Sequence, residues 1–151
     1  FEKLKAMKFR LTTAIAQSLV LFGLLSTGPA FSQDKPYTDH VQCEKNSDGK
    51  KECKIDLWMT RGFRAFSQCQ VCHGLDGSGS TIAPSLLDKL QEIDKDRFYD
   101  VVTHGFQGQI GVMPGWGENP NVMKYIDNLY AYLMARSDGE LPAGKIKRYD
   151  R

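Results

Sequence analysis

The stretch Cys69-Gln70-Val71-Cys72-His73 decides the fold of this 151-residue chain. Its C-x-x-C-H spacing is the attachment signature of a c-type haem. Two thiols at this separation match the two vinyl groups on one edge of a porphyrin, to which they add covalently. The imidazole that follows is placed to bind the iron from one side. We therefore predict one covalently bound haem c, held through Cys69 and Cys72, with His73 as the proximal ligand of the iron.

The same five residues admit two other interpretations, a structural zinc half-site and a thioredoxin-like redox pair. A zinc site needs two more ligands at short spacing, and none follows His73 closely in the sequence. A thioredoxin-like pair follows a strand in a βαβ pattern, and no such pattern is visible in the sequence. The sequence therefore favours haem attachment over both alternatives.

Covalent haem attachment normally takes place outside the cytoplasm, which predicts an export signal at the start of the chain. A basic start at residues 7–10 is followed by an apolar run at residues 11–25 and by small residues before Gln33. We interpret residues 1–32 as upstream residues plus a cleaved secretory signal, and we expect the mature protein in the periplasm. An uncleaved membrane anchor is the alternative, although the apolar run is short for a span.

Size and charge limit the functions open to the mature chain. About 119 residues remain without the leader, which is the size of one domain. The leader carries four basic residues and one acidic residue, so the net charge falls from +2 for the whole chain to about −1. A nucleic-acid partner would require a clustered basic face. The basic run at residues 145–148 lies beside Asp150, and we interpret it as a solvated tail rather than as such a face.

The other two cysteines are Cys43 and Cys53, in a polar segment at residues 33–56. Ser47, Asp48 and Gly49 lie midway between them, and a glycine there is free to adopt the positive φ of a tight turn. A hairpin at this point would bring the two cysteines opposite each other, close enough for a structural disulfide. A redox-active pair is the weaker alternative, because only nearby lysines would lower a thiol pKa.

Periodicity from residue 57 onwards predicts a helical domain. In the last helix, apolar residues recur at intervals of three and four, which is the spacing of one helical face. The stretch 105–120 holds five glycines and two prolines, so we expect no regular structure there. The fold class is predicted to be all-α, with no strand-rich stretch. Helices are predicted at residues 57–70, 84–93, 97–104 and 119–136.

The iron needs a second axial ligand or an open position for a small molecule. Met113 lies in the glycine-rich stretch, where the chain can wrap over the far face of a haem and present a thioether. Pro114 stiffens this loop, and Trp116 is placed to shield the site from water. Met113 is therefore the predicted sixth ligand, with His104 as the next candidate and an open site as the third. The remaining methionines are interpreted as packing residues.

Taken together, these motifs resemble a class I cytochrome c over residues 57–139. In that family the helix before the haem motif carries a glycine and an aromatic residue four positions apart. Gly62 and Phe66 match these positions, and Leu129 and Tyr132 match their contacts on the C-terminal helix. The resemblance implies an all-α fold in which helices surround one haem.

The segment Ile82-Ala83-Pro84-Ser85-Leu86 resembles the family's proline segment after the haem motif. In the family, the proline carbonyl accepts a hydrogen bond from the proximal imidazole, which fixes the ring and tunes the iron. A simple turn is the alternative role for this proline. The domain implied by the resemblance spans residues 57–151 and ends in a polar tail. Its implied haem-contacting residues are Cys69, Cys72, His73, Pro84, Met113 and Trp116.

A narrower resemblance is to small periplasmic cytochromes that accept electrons from quinoprotein alcohol dehydrogenases. It is carried by residues 74–86, by residues 121–133 and by Ala-Arg-Ser-Asp-Gly at residues 135–139. Some relatives linked to methanol metabolism also carry two extra cysteines ahead of the haem site.

This narrower resemblance implies a one-electron carrier rather than an enzyme. Its implied donor is a quinoprotein methanol or ethanol dehydrogenase, and its implied acceptor is a terminal oxidase or another cytochrome. Stable membrane insertion is not expected. The alternatives are a ligand-binding or peroxidatic haem protein, which needs an open sixth position, and a general respiratory cytochrome c.

Overall fold

The computed structural model describes residues 35–109, 111–144 and 146–150. The predicted secretory signal and the expected start of the mature chain near Gln33 lie outside these residues. Within them, a short 3-10 turn at Thr38–His40 precedes six α-helices and five strands. The helices are α1 (Leu57–Phe66), α2 (Gln70–His73), α3 (Leu86–Lys89), α4 (Lys95–His104), α5 (Pro120–Met123) and α6 (Ile126–Ser137). The strands are β1 (Val41–Lys45), β2 (Lys51–Ile55), β3 (Gly105–Gln107), β4 (Val112–Pro114) and β5 (Lys147–Arg148).

Strands β1 and β2 form the antiparallel hairpin that the sequence predicts. Cys43 lies directly opposite Cys53 in the register, and a disulfide joins them. Asn46 closes the turn, because its side-chain oxygen accepts hydrogen bonds from two backbone N–H groups of the turn. Gly49 adopts a φ of 74°. The predicted disulfide hairpin is therefore confirmed.

The interpretation of the C-terminal basic run as a solvated tail is wrong for the part that the structure describes. Strand β5 pairs in parallel with β2 and completes a three-stranded sheet. Leu141, ahead of it, is 1% exposed and joins the core. Asp150 accepts a hydrogen bond of 2.8 Å from the backbone N–H of Leu57, the first residue of α1. Parallel pairing joins segments that are far apart in the chain, so no local sequence pattern predicts it.

Helices α1 and α6 cross in close contact and form the centre of the core. Gly62 permits this approach, since a Cβ at that position would lie 2.0 Å from the carbonyl oxygen of Asn128. Phe66 and Leu129 are completely buried. The ring of Tyr132 packs against that of Phe66, with centroids 5.7 Å apart. The predicted contact between the two helices is confirmed.

Two predicted helices are interrupted in the structure. Helix α1 ends at Phe66 rather than at residue 70, because the backbone N–H groups of residues 67–69 bond to carbonyls three residues back instead of four. The haem motif then forms the separate turn α2. The C-terminal helix is divided into α5 and α6 at Tyr125, whose φ of −123° and ψ of 23° leave the helical region.

The sequence predicted no regular structure at residues 105–120, and this prediction is wrong. Strands β3 and β4 form an antiparallel ribbon within the stretch. Gly105 begins the ribbon with a φ of 84°, and a Cβ there would lie 2.6 Å from the carbonyl oxygen of Met113. The backbone N–H of Trp116 donates to the carbonyl of Val102 in α4 at 2.8 Å, which anchors the far end. Strands of three residues are too short to show an alternation of apolar and polar residues. The glycine and proline content of the stretch therefore led to the prediction of a loop. The fold has a helical core, to which two small sheets are added.

No helix in the described residues is long and apolar enough to cross a membrane.

Candidate haem site

His73 is held by a hydrogen bond between its ring and the backbone of a loop. Its Nδ1 atom lies 2.8 Å from the carbonyl oxygen of Pro84, and the residue is 6% exposed. A carbonyl can only accept, so Nδ1 carries the proton and Nε2 keeps its lone pair. This is the form of imidazole that binds a metal, and the Nδ1 hydrogen bond fixes its orientation and raises its basicity. The contact implied for Pro84 is confirmed.

The loop between His73 and Pro84 is folded back so tightly that glycine is required within it. Gly79 adopts a φ of 94°, and a Cβ there would lie 2.7 Å from the backbone nitrogen of Ser85. The backbone N–H of Gly79 donates to the carbonyl of His73 at 2.9 Å. The loop therefore returns to the residue from which it started, and this return places the Pro84 carbonyl against the imidazole.

Both cysteines of the motif lie outside the disulfide and are half-buried. The backbone N–H of Cys69 donates to the carbonyl of Phe66 at 2.8 Å, and that of His73 donates to the carbonyl of Cys69 at 2.9 Å. These two hydrogen bonds connect α1 to the turn α2 and place Cys69, Cys72 and His73 within one helical turn. The two thiols and the imidazole are thus brought together by local backbone geometry.

The structure does not favour the two alternatives for this motif. Burial raises the pKa of the Cys69 thiol to about 11, and the neighbouring Cys72 adds to the shift. The attacking thiol of a redox pair has a lowered pKa instead. In the part of the chain that the structure describes, no three His, Cys, Asp or Glu side chains gather into a group able to hold a metal ion. A zinc site therefore has no ligand set there.

Met113 lies in the middle of β4, half-buried, and packs against the hydrophobic core. His104, the next candidate ligand, is less well placed. It ends α4 with a side chain that is 74% exposed, and its Nδ1 atom lies 3.0 Å from a carboxylate oxygen of Asp100. The geometry favours Met113 as the sixth ligand. Trp116 is also half-buried and packs against the same core.

Most of the exposed large apolar side chains in the described part of the chain lie in two segments. These are residues 69–86, which hold the haem motif and the proline segment, and residues 105–117, which hold Met113. The described residues include six such side chains, and one of these, Leu57, lies elsewhere at the start of α1. Exposed apolar side chains next to the predicted ligands are available to contact an apolar ligand or partner. Together with the two thiols and the Nε2 lone pair of His73, they fit a porphyrin. The five exposed side chains in these segments are Val71, Leu75, Ile82, Phe106 and Val112.

Arg136 lies beside this site, and nothing in its sequence pattern predicted a role for the residue. The residue is 8% exposed and donates hydrogen bonds to the carbonyls of Asp76, in the loop after His73, and of Leu141. The only signal in the sequence was its position within Ala-Arg-Ser-Asp-Gly, one of the segments that carried the narrower resemblance.

Comparison with known proteins identifies the family. Residues 59–133 match the family model of subunit III of the cbb3-type cytochrome c oxidase. The chain is 43% identical over 108 residues to cytochrome c-553I of Paracoccus denitrificans, covering 67% of this chain but only 47% of that protein. It is 38% identical over 96 residues to cytochrome c-555 of Methylococcus capsulatus (strain Bath), covering 62% of this chain and 75% of that protein.

A solved structure shows the same fold. The crystal structure of the c-type cytochrome XoxG from Methylobacterium extorquens AM1 matches with a TM-score of 0.59 and 34% sequence identity. The match covers 77% of this chain and 82% of that one. The chain therefore belongs to the class I c-type cytochromes, a family of electron-transfer proteins rather than enzymes, and its cofactor is covalently attached haem c.

Proposed function

We propose that this protein is a periplasmic one-electron carrier that accepts electrons from a quinoprotein alcohol dehydrogenase and passes them toward a terminal oxidase. The observation that carries the proposal is the 2.8 Å hydrogen bond between His73 Nδ1 and the Pro84 carbonyl, at the end of the motif that holds Cys69 and Cys72. This arrangement leaves one nitrogen lone pair for iron beside two thiols for a porphyrin edge. When bound, haem c supplies exchange of one electron between Fe(III) and Fe(II).

Each residue of the site has a defined task in this proposal. Cys69 and Cys72 would hold the porphyrin, and His73 and Met113 would bind its iron. A thioether ligand would raise the reduction potential, and a His/Met pair would serve both oxidation states. Such a site would supply electron transfer with little reorganisation. Trp116, which packs against the same core cluster as Met113, would limit the access of water to the site.

The periplasmic part of the proposal is supported by the Cys43–Cys53 disulfide. Disulfides form and persist in oxidising compartments and are rare in the cytosol. The proposed mature chain begins near residue 33, with the disulfide hairpin in residues 33–56 and the haem domain in residues 57–151. No stable membrane insertion is part of the proposal.

The donor is proposed from the sequence resemblance to cytochromes that serve quinoprotein alcohol dehydrogenases, and the likeness to XoxG and cytochrome c-555 supports it. The surface supports a small apolar contact, because residues 77–87 and 105–117 contain no charged side chain. Transient redox interfaces of this type bury less than about 1,200 Å² in total. Association should then show only modest electrostatic steering.

The proposal is tested by mixing the purified ferric protein with quinoprotein alcohol dehydrogenases and their alcohols, methanol or ethanol. We expect rapid reduction that depends on both the enzyme and the alcohol. The rate should change little with salt, since ionic screening acts on charge pairs rather than on apolar burial. Failure of every such enzyme to reduce the protein would contradict the proposed donor. A steep loss of rate with salt would contradict the proposed apolar contact.

Surface variants locate the contact. Ile82→Lys and Val112→Lys introduce a charge at side chains that are 62% and 67% exposed in the two uncharged segments. Both should slow reduction by the dehydrogenase more than reduction by a small chemical donor. Leu57→Lys, at an exposed apolar side chain at the start of α1 and outside both segments, is the matched control and should leave both rates unchanged. Equal slowing with both donors would show that the changes disturb the haem itself.

A further inference from the structure

We propose that Arg136 is a positioning residue for the axial imidazole, acting through the loop between His73 and Pro84. It lies near the end of α6, and its guanidinium donates to two carbonyls from separate segments. One belongs to Leu141, at 2.6 Å, and the other to Asp76, at 3.2 Å. Asp76 is the third residue after His73, so the second contact falls inside the loop that orients the ring. The inference rests on the proposed role of His73 as the axial ligand.

The burial of Arg136 is difficult to explain by packing alone. Its side chain is 6% exposed, and its Nε atom has no hydrogen-bond partner in the described part of the chain. The carboxylate of Asp76 lies 3.9 Å away on a side chain that is 40% exposed. Burying a cation with such incomplete pairing costs free energy that an apolar side chain of similar volume would not. An apolar side chain, however, could not tie α6 to two carbonyls of other segments.

Two backbone contacts transmit the position of Asp76 along the loop. The carbonyl of the next residue, Gly77, accepts a hydrogen bond of 2.8 Å from the N–H of Leu86, which begins α3 directly after the proline segment. The N–H of Gly79 donates to the carbonyl of His73. A displacement at Asp76 therefore shifts the proline segment relative to the imidazole. This segment supplies the carbonyl that accepts the Nδ1 proton.

The strength of the Nδ1 hydrogen bond gives this role a measurable consequence. A stronger bond at Nδ1 makes Nε2 more basic, and a more basic ligand favours the oxidised iron. Loosening the loop should therefore raise the reduction potential and let the Nδ1 proton exchange faster with water. A purely electrostatic role of Arg136 predicts the opposite sign, because removing a nearby cation favours the oxidised, more positive iron.

The test uses Arg136→Lys and Arg136→Met in the haem-loaded protein. Lys keeps the charge but loses the planar fork that reaches two carbonyls, whereas Met keeps much of the volume and loses the charge. We measure the exchange rate of the His73 Nδ1 proton by NMR in the reduced protein, together with the midpoint potential. In both variants exchange should accelerate by about tenfold or more, as expected for the loss of a hydrogen bond from a charged donor. The midpoint potential should rise in both.

Two control variants separate positioning from stability and from charge. Cys43→Ser with Cys53→Ser lowers stability away from the loop and should leave the Nδ1 exchange rate unchanged. Asp76→Asn removes the nearby carboxylate, keeps the backbone carbonyl that Arg136 contacts, and should also leave the exchange rate unchanged. Because Arg136→Lys retains the buried charge and most of the side-chain length, it carries the test if Arg136→Met does not fold.

Two outcomes would overturn the inference. If both Arg136 variants unfold more easily but keep the wild-type exchange rate and potential, the residue is merely structural. If Arg136→Met lowers the potential while Arg136→Lys behaves as wild type, the effect is one of charge. A failure of the proposed function looks different, since the ring signals of His73 in the wild-type protein would then lack the shift caused by bound iron.

Discussion

The proximal and distal sides of the haem site are built in different ways. On the proximal side, His73 is 6% exposed, and its ring is oriented by a loop that is closed by backbone hydrogen bonds and packed on α6. On the distal side, Met113 lies on a ribbon of two three-residue strands. Its ribbon neighbours Phe106 and Val112 are 50% and 67% exposed.

The difference shows where the site should be labile. His73, the proposed proximal ligand, is fixed by the core of the molecule, since α1 and α6 support the turn from which it projects. Met113, the proposed distal ligand, depends on a small element that is anchored to α4 by the backbone hydrogen bonds of Trp116 and Gly117. Segments with few buried contacts open at low free-energy cost. Ligand exchange is therefore expected on the methionine side, while the histidine side should hold until the protein unfolds.

The largest effect is expected from Met113→Ala, which removes the proposed distal ligand. The haem should stay attached, because the proposed attachment uses Cys69 and Cys72 and not Met113. The potential should fall by on the order of 0.1 V, given that axial ligation spans roughly 0.8 V among haem proteins. The iron should also bind carbon monoxide or cyanide readily. Potentiometry and ligand titration measure this change.

If Met113→Ala instead keeps the wild-type spectrum and potential, Met113 is not the ligand and His104 is the next residue to replace. A wild-type protein that binds carbon monoxide as readily as the variant would favour the ligand-binding alternative.

Gly62→Ala tests whether the α1–α6 crossing supports the proximal side. The added methyl group would meet the carbonyl oxygen of Asn128, which is backbone and cannot move aside. We expect a loss of about 3 kcal/mol in the free energy of unfolding, at the upper end for overpacking. Gly111→Ala is the matched control, since a Cβ there has no neighbour within 4 Å. Denaturant titration should show a large loss for the first variant and little for the second; equal losses would contradict the crossing as the support.

The disulfide lies outside both sides of the haem site, so its removal should change stability without changing the iron. Cys43→Ser with Cys53→Ser should lower the free energy of unfolding by about 2–3 kcal/mol in the loop-closure model. The visible spectrum should remain that of the wild type. Unchanged stability of the wild type after thiol reduction would show that the bridge contributes nothing to folding.

The smallest effect is expected at Asp138, which joins the segment before β1 to the end of α6. Burial opposes ionisation of this carboxyl, but hydrogen bonds from Tyr37 and Gln91 and the charge of Lys35 outweigh it, so its pKa lies below the usual value. A depressed pKa in the folded state contributes stability above the unfolded pKa, near 3.9. This contribution is lost as pH falls through the folded pKa.

Asp138→Asn should therefore be less stable than the wild type at pH 7, and the difference should shrink below about pH 4. Thermal unfolding across this pH range measures the difference. Asp39→Asn, at an exposed carboxylate of the same segment, is the control. A gap between wild type and Asp138→Asn that stays constant with pH would show that ionisation of Asp138 is not its source.

Local sequence patterns were sufficient to predict the features that depend on neighbouring residues. The C-x-x-C-H spacing identified the attachment motif, and the turn at Gly49 predicted the hairpin and its disulfide. The starts of the helices predicted at residues 97–104 and 119–136 came within two residues of the structure, because the capping side chains of Asp94 and Asn119 bond to backbone only two or three residues away. The family resemblance supplied the Gly62 contact and the hydrogen bond from His73 to the Pro84 carbonyl, both of which the geometry confirms.

Other features depended on tertiary structure, because their partners are distant in sequence. Strand β5 is ordered by β2, and the Met113 ribbon by its pairing with β3 and its anchor on α4, so neither shows a pattern in its own residues. Arg136 is the clearest case: as a single letter in the chain it resembles a surface cation near a helix end. Only the fold brings the carbonyls of Asp76 and Leu141 to its guanidinium. Because the buried guanidinium is shielded from water, its hydrogen bonds to these carbonyls are stronger than they would be at the surface.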